Sequence, residues 1–376
     1  MDFTFSEEQQ MLLETTRRFV AGDIGFDARR QSLAAAEGFS RAAWQGFADL
    51  GLLALQVPEA DGGLGGSALD TMLVMNALGE GLVLEPYLAS AVLATKAIAA
   101  LGSDQQRARL LPALAAGEAI AVLAHDEPAT RFEPLAIGTR AVPHADGYLL
   151  SGHKSVIGHA PSADTLLVSA RLEEKDRATL GVFEVPRDAA GLHISSYRTV
   201  DGVAAGDIRF EQVQLAAGAL LGKDNADAGA ALSAVLDAGL AAVCAEAVGA
   251  LDRVLAATVE YTRTRKQFGV PIASFQALQH RMADMVLHIE QARSMSYLAA
   301  VRCQEHDPAA RGAALSAAKV VIGQACRFVG QQAVQLHGGM GVSDELDVSH
   351  YFKRLMAIEL QFGSTDWHLE RYARQL

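Results

Sequence analysis

A length of 376 residues and a hydrophobic fraction of 50% allow large buried cores and predict two or three domains. The net charge of −12 would repel a phosphate backbone, which argues against nucleic-acid binding. The N-terminal MDFTFSEEQQ is acidic and no apolar stretch reaches the ~20 residues of a span, so we expect no export signal and no membrane span. The cysteines are few and widely separated, so we expect a cytoplasmic protein without a metal site.

Residues 1–121 carry helical patterning. Ser6, followed by two acids and Gln9, is a capping box that predicts the start of a helix. Ser40 caps a second predicted helix, and the PEADGGLGG segment from Pro58 to Gly66 predicts a loop. Helices resume near Ser67, Pro86 and Asp104. This part is predicted to be an N-terminal α-helical domain.

The pattern changes between residues 122 and 222, where short alternating runs are separated by Gly, Pro and Asp. Examples are Thr165–Val168, Leu180–Val185 and Asp207–Phe210. This spacing predicts an all-β middle domain, either a barrel or a sandwich.

Residues 223–376 return to helical periodicity. Phe275, Leu278, Met282, Met285 and Ile289 recur every three or four positions along one long segment. Small residues between 226 and 257 and between 309 and 333 would allow close approach of helices. We therefore predict a C-terminal helical bundle and an α+β fold for the whole chain.

Two segments of the helical region have residues suited to a dinucleotide. Arg265 presents a planar fork that matches a pyrophosphate, and Phe268 and Phe275 offer flat apolar surfaces for an adenine. A solvated arginine with both rings in the core is the alternative. In Gln335–Gly341 the glycines would let a ligand approach the backbone, although such a turn also simply ends helices.

The long segment YTRTRKQFGVPIASFQALQHRMADM, the QLHGGMG segment and YFKR at Tyr351–Arg354 resemble motifs of the acyl-CoA dehydrogenase superfamily. Within it, the chain most resembles the small subunit of pimeloyl-CoA dehydrogenases and related two-component enzymes. The resemblance implies an N-terminal helical domain, a middle β-domain and a C-terminal four-helix bundle, usually assembled as a dimer of dimers. It also implies FAD, an acyl-CoA substrate and an electron-transfer acceptor.

The same resemblance assigns FAD-binding residues in the C-terminal region. They are Arg265, Gln267, Phe268, Ile272, Phe275, Gln335, Leu336, Gly338 and Gly339. In the family, this region holds the adenine and pyrophosphate end of a neighbouring subunit's FAD. The implied reaction is α,β-desaturation: a base removes the α-proton of the thioester while a hydride passes from the β-carbon to flavin N5.

The sequence departs from the family where that base is expected. Phe362, in LQFGS, lies at the position of the usual glutamate, and Gly239 lies at the position that a minority of the family uses. Neither side chain accepts a proton, so no catalytic residue is assigned. The nearby acids Glu359, Asp237 and Asp366 remain alternatives for a displaced base.

A second departure concerns the β-domain segments that cradle the flavin ring in the family. Asp126 and Phe132 stand where hydroxyl residues are expected, and Val156 and Gly158 replace a tryptophan and a threonine. The part of the FAD site used by the chain itself is altered, while the part lent to a neighbour is kept. That contrast is typical of one subunit in an α2β2 enzyme.

Three hypotheses follow. The favoured one is an FAD-sharing, base-less subunit, active only with a catalytic paralogous partner. The second is a self-sufficient homotetrameric dehydrogenase with a displaced base, and the third is a scaffold of the same fold that binds neither FAD nor CoA. Two-component enzymes of this kind often act on bulky acyl groups in fatty-acid or steroid side-chain degradation, and the sequence does not select one.

Overall fold

The computed structural model describes residues 4–130, 132–174, 177–222 and 227–375. The α-helices in this part of the chain are α1 (Glu7–Asp23), α2 (Phe26–Ala34), α3 (Arg41–Asp49), α4 (Ala68–Glu80), α5 (Thr95–Leu101), α6 (Asp104–Ala115), α7 (Gly229–Thr264), α8 (Gln276–Arg302), α9 (Pro308–His337), α10 (Asp347–Leu360) and α11 (Thr365–Ala373). A π-helical stretch, Tyr87–Ala94, runs directly into α5.

The strands lie almost entirely in the middle of the chain. They are β1 (Ala121–Ala124), β2 (Arg140–His144), β3 (Gly147–Gly158), β4 (Thr165–Glu174), β5 (Arg177–Pro186), β6 (Leu192–Arg198), β7 (Ala204–Ala216), β8 (Lys266–Gln267) and β9 (Val270–Pro271). The predicted order of helices, strands and helices is therefore confirmed. The predicted boundary at residues 121 and 122 falls inside β1, and the one at 222 and 223 lies between β7 and α7.

Local capping explains where the helices begin. The Ser6 hydroxyl accepts a hydrogen bond from the Gln9 N–H, and the Gln9 side chain accepts one from the Ser6 N–H, which is the predicted capping box. Ser40 caps α3 as predicted. In the predicted loop, Gly63 passes so close to the backbone of Val57 that a Cβ atom would lie 2.2 Å from its carbonyl oxygen.

The seven long strands form one sheet in the order β1-β4-β2-β3-β7-β6, with β5 paired to β4. β1 runs parallel to β4, whereas β3 and β7 are antiparallel. Their register shifts between Lys154 and Ile157, and Val156 has a φ of 55° within this bulge. The bulge redirects the end of β3, which contains Val156 and Gly158.

The contacts divide the chain into two units. One consists of the described residues up to Gln31, Ala68–Val83 and the chain from Leu240 onward, and it contains most of the helical bundle. The other consists of Ser32–Ser67 and Leu84–Gly239, with the seven-stranded sheet. A core cluster of the second unit joins helical residues such as Ile98 and Leu111 to strand residues such as Leu167 and Val182.

Two helices, Gly229–Thr264 and the stretch Pro308–Val342, are long and apolar enough to cross a membrane by length and composition. In the first, 83% of the apolar window is buried within the protein. This degree of burial is that of a helix that packs in a protein core.

Candidate functional site

Five of the predicted FAD-binding residues lie on one protruding segment, Arg265–Phe275, which we call the hairpin. β8 and β9 pair antiparallel within it, and the Ile272 N–H donates to the Arg265 carbonyl over 2.8 Å. Arg265 and Gln267 are exposed. The Phe268 ring is 92% exposed and meets the Phe275 ring edge-on at 6.1 Å. The hairpin thus holds an arginine fork and an apolar ring out into solvent.

The four other predicted residues lie at the end of α9. Gln335, Gly338 and Gly339 are exposed, and a Cβ atom on either glycine would meet nothing within 4 Å. The Leu336 side chain is buried instead. The two glycines leave the main chain open to close approach by a ligand.

Tyr261 joins the hairpin to the end of α9. Its ring stacks on His337 with centroids 4.3 Å apart, and its hydroxyl donates to the His337 carbonyl. The Tyr261 carbonyl in turn accepts from the Arg265 N–H over 2.8 Å. The structure therefore brings both sequence motifs together within one unit.

Phe362, at the position predicted for the family's base, lies in a tight turn formed by residues 359–365. Its φ is 59°, a left-handed value that bulky side chains rarely adopt. The ring packs against buried residues Leu240, Ala241, Ala299, Cys303, Leu315 and Ala318. A carboxylate at this site would border an apolar cluster.

The ammonium of Lys319 hydrogen-bonds to the backbone of this turn from the buried side. Lys319 is fully buried in α9, and its Nζ donates to the carbonyls of Glu359 and Gly363 over 2.9 and 2.6 Å. Burial lowers the pKa of this ammonium. One buried side chain thereby fixes the two carbonyls on either side of Phe362.

Histidine and glutamate complete the contacts of the turn. His368 Nε2 lies 3.0 Å from the Phe362 carbonyl, and its Nδ1 lies 3.1 Å from the Ser316 hydroxyl, an arrangement that suits a neutral imidazole. Burial, reinforced by the charge of Lys319, lowers the pKa of His368 to about 3. Glu359 accepts from the Thr365 N–H and from Arg327 over 3.0 and 3.2 Å.

Those contacts determine the ionisation of Glu359. Burial opposes its charge, but the hydrogen bonds from Thr365 and the charges of Arg327 and Lys319 outweigh burial and lower its pKa. A carboxylate stabilised in its charged form is a poor proton acceptor. Asp366 is exposed in the first turn of α11, and Asp237 is buried in α7.

A second buried lysine supports the altered cradle segment of the β-domain. Lys154 on β3 donates to the Glu127 carboxylate, the His125 carbonyl and the Ser169 hydroxyl over 2.7, 3.0 and 3.0 Å. Glu127 also accepts from the N–H groups of Gly138 and Thr139. Burial lowers the pKa of Lys154 to about 8 and that of His125 to about 4.

The four predicted departures from the flavin cradle lie near this network in sequence. Val156 is exposed, and a Cβ atom at Gly158 would meet nothing within 4 Å. Asp126 is exposed and Phe132 is half-buried. The hydrogen bonds of Lys154 therefore order the β-domain segment that begins at His125. The four positions Asp126, Phe132, Val156 and Gly158 do not carry the aromatic and hydroxyl side chains that the family has there.

Family models for the acyl-CoA dehydrogenase N-terminal, middle and C-terminal domains match residues 6–118, 123–213 and 228–376. The chain belongs to the acyl-CoA dehydrogenase family. The predicted fold, with its helical, β and helical regions, is thereby confirmed. The narrower resemblance to the pimeloyl-CoA dehydrogenase small subunit stays a prediction.

Individual relatives match over the full length of this dehydrogenase-family chain. The probable acyl-CoA dehydrogenase YngJ of Bacillus subtilis is 30% identical, with all of both chains covered. The ChsE4–ChsE5 complex of Mycobacterium tuberculosis contains a chain that is 28% identical with a TM-score of 0.88, covering 100% of this chain and 98% of that one. The structure of PigA with FAD and proline is 26% identical with a TM-score of 0.88, covering 100% and 99%.

The predicted cofactor, FAD, is confirmed by this membership. The residues at the hairpin and at the end of α9 fit its adenine and pyrophosphate half, because an exposed guanidinium, an exposed ring and open glycine backbone are grouped in one unit. Bound FAD supplies the acceptor for the hydride. Arg265 would hold its phosphates, and Phe268 would cover an apolar part of the nucleotide.

Sequence reasoning did not identify the two buried lysines. Lys319 is the only charged residue between Arg311 and Arg327, and a lone charge within an apolar helix was the available signal. Lys154 gave no comparable signal, because its neighbours His153 and Ser155 are polar.

Proposed function

We propose that this chain is one subunit of a two-component, FAD-dependent acyl-CoA dehydrogenase and that it lends the adenine and pyrophosphate half of an FAD site to a catalytic paralogous partner. The observation that carries the proposal is the environment of Phe362. An aromatic ring that packs against an apolar cluster lies at the position predicted for the family's base. The partner would supply the glutamate that removes the α-proton.

The state of the nearest acid supports this assignment. Glu359 is buried and holds Arg327 and the first turn of α11 through its carboxylate. Moving it toward a substrate would leave Arg327 and the Thr365 N–H without their acceptor, at a cost of about 1–3 kcal/mol for the buried group alone. Glu359 therefore acts as a structural carboxylate in the proposal.

The exposure of the hairpin supports the sharing of FAD. An aromatic ring that is 92% exposed contributes little to the fold of its own chain. It gains its stabilisation when a nucleotide or another subunit covers it. The ChsE4–ChsE5 complex, a similar structure, is named for two different chains, which favours a heteromeric assembly for this chain as well.

Each side chain then has a defined task in the desaturation of an acyl-CoA thioester. Arg265 binds and orients the FAD phosphates, while Phe268 and Phe275 exclude water from the adenine side. The partner's base would remove the α-proton, and the electron pair left on the α-carbon would form the new double bond. The bound FAD would supply the acceptor for the β-hydride, whose two electrons then go to an electron-transfer acceptor. Dicarboxylic, branched and steroid acyl groups are the substrate classes to screen.

The test is a flavin count. Purified alone, the chain should be colourless or contain far less than one FAD per copy; co-purified with its paralogous partner, it should give a yellow complex with one FAD per heterodimer. The visible spectrum and protein absorbance provide the ratio. A stable homotetramer with one flavin per copy would refute the proposal and support the self-sufficient enzyme. A colourless complex would support the scaffold.

The same samples test the alternative bases. The isolated chain should not desaturate any acyl-CoA, because a missing general base costs ~10²–10⁴ in rate. Activity of the isolated chain that is abolished by Glu359→Gln, Asp366→Asn or Asp237→Asn would identify a displaced base. Phe362→Glu should not restore activity to the isolated chain, because the cradle residues at Val156 and Gly158 are also altered.

A further inference from the structure

We infer that Tyr261 is a positioning residue for FAD: its side chain holds the hairpin and the glycine turn, Gly338–Val342, at one separation, so that both can bind the same diphosphate. The inference rests on the proposed function, in which this chain holds the adenine and pyrophosphate half of FAD through Arg265 and open glycine backbone. Tyr261 and His337 are 76 positions apart in sequence. The distance between the two segments is therefore set by tertiary contacts.

His337, the last residue of α9, provides a fixed ring for this contact. Its Nδ1 lies 2.8 Å from the Ala333 carbonyl, and because a carbonyl only accepts, Nδ1 carries the proton. This hydrogen bond ties the imidazole to the preceding helical turn, and His337 is only 4% exposed. The next residue, Gly338, has a left-handed φ of 61° and leads the chain into the glycine turn. The position of His337 therefore determines where the glycine turn begins.

The Tyr261 side chain contacts His337 in two ways. Its ring stacks on the imidazole, with centroids 4.3 Å apart and 26° between the planes. Its hydroxyl donates to the His337 carbonyl over 3.3 Å. The last carbonyls of a helix have no donor within the helix, so the tyrosine hydroxyl supplies one there. Tyr261 thus binds both the side chain and the backbone of the residue that precedes Gly338.

The backbone of Tyr261 leads directly to the hairpin. Its carbonyl accepts hydrogen bonds from the Arg265 N–H over 2.8 Å and from the Thr264 hydroxyl over 3.1 Å. The Arg265 carbonyl accepts in turn from the Ile272 N–H, which closes the hairpin. A continuous series of hydrogen bonds and one ring stack therefore connects the hairpin to His337, and Tyr261 is the residue that contacts both sides.

Loss of the tyrosine contacts should reduce the affinity for FAD. Without them the hairpin and the glycine turn would move independently, and a ligand that binds both would have to order them first. The loss is limited to about the interaction energy of the contact, because the ligand replaces only that constraint. Tyr261→Phe keeps the stack but removes the hydroxyl, and should weaken FAD binding about 2- to 10-fold. Tyr261→Leu removes both contacts and should weaken it roughly 5- to 100-fold.

The experiment titrates FAD into deflavinated heteromeric complexes, with flavin fluorescence as the readout. The complexes carry Tyr261→Phe, Tyr261→Leu, Arg265→Ala, or Arg265→Ala combined with either tyrosine variant. If Tyr261 acts by placing Arg265 against the glycine turn, its replacement should weaken FAD binding less in the Arg265→Ala background than in the wild type. Tyr297→Leu is the matched control, because the ring of this α8 tyrosine stacks on Phe5 instead. It should leave the FAD affinity unchanged.

Wild-type FAD affinity in the tyrosine variants, or losses that simply add to that of Arg265→Ala, overturns the inference. If the leucine variant does not fold, Tyr261→Phe serves in the same comparison, because it retains the ring stack. The Arg265→Ala complex separates the two levels of the argument. Weaker FAD binding there, without a loss in the tyrosine variants, refutes only the positioning role of Tyr261. Unchanged FAD binding in Arg265→Ala refutes the shared-FAD function itself.

Discussion

The hairpin and the 359–365 turn are both loops of the helical unit, yet they differ in how they are held. The hairpin places Phe268 almost wholly in solvent, and its residues hydrogen-bond mainly to one another. The turn is anchored by a buried lysine, a neutral histidine and a glutamate. The surface predicted to bind FAD is exposed, whereas the turn at the predicted base position packs against a buried apolar cluster.

The two loops share one strained backbone conformation, but its strain is offset differently in each. Phe268 and Phe362 both have a left-handed φ, of 55° and 59°. In the turn, apolar packing and three hydrogen bonds offset the strain. In the hairpin, little packing offsets the strain at Phe268. A bound ligand would therefore offset it. The following variants test this distinction.

Removal of the buried ammonium should have the largest effect. Lys319→Met leaves the carbonyls of Glu359 and Gly363 buried without a donor, and each such group costs about 1–3 kcal/mol. We expect the free energy of unfolding to fall by about 2–5 kcal/mol in urea denaturation. Lys353→Met, which removes a partly exposed ammonium paired with Asp344, should cost less than about 1 kcal/mol. Equal losses would contradict the anchoring role of Lys319.

Acid should weaken the turn through His368. Its folded-state pKa is lowered to about 3, so between that value and the ordinary 6.5 the unfolded chain binds a proton that the folded chain does not. Stability is then lost as pH falls below 6.5, at up to about 1.4 kcal/mol per pH unit. His368→Asn should remove the His368 contribution to the slope in urea denaturation measured between pH 6.5 and 4.5, while His125 keeps its own contribution. The exposed His306, replaced by Asn, is the control, and an unchanged slope in His368→Asn would count against the assignment.

Removal of the hairpin arginine should weaken FAD binding without unfolding the chain. A charge-assisted hydrogen bond contributes about 1.5–3 kcal/mol, so Arg265→Ala should weaken FAD binding by the complex roughly 10- to 100-fold. Arg265→Lys should recover part of the affinity, because it restores charge but not the planar fork. Titration of FAD into the deflavinated wild-type and variant complexes measures these affinities.

Arg263→Ala is the control for that titration, since Arg263 is exposed two positions earlier in the last turn of α7. Equal FAD affinities of the wild-type and Arg265→Ala complexes would mean that this chain does not hold the phosphates.

The smallest effect is expected at the tip of the hairpin. Phe268→Gly exchanges a strained, exposed residue for one that adopts the left-handed conformation freely. Glycine also gains more freedom in the unfolded chain, so the free energy of unfolding should change by no more than about 1 kcal/mol. FAD affinity of the complex should fall nonetheless. A large loss of stability in the isolated chain would show that the ring supports the fold itself.

Local signals in the sequence were sufficient for most elements of the fold. The capping box at Ser6 and the cap at Ser40 predicted the starts of two helices, and alternation predicted strands between residues 122 and 222. The grouping of Arg265 with Phe268 and Phe275 also followed from their short spacing. These features depend on residues within a few positions of one another, and the chain itself brings those together.

Only the tertiary structure decided how Lys319, Lys154 and Phe362 are used. Lys319 meets a carbonyl 44 positions away, and Lys154 meets a carboxylate 27 positions away. The sequence predicted that Phe362 lies at the position of the family's base, but its packing against residues of distant helices was not visible there. Whether a lone lysine is solvated or buried depends on the acceptors that remote segments bring to it, because burial of a charge is tolerated only where those acceptors are present.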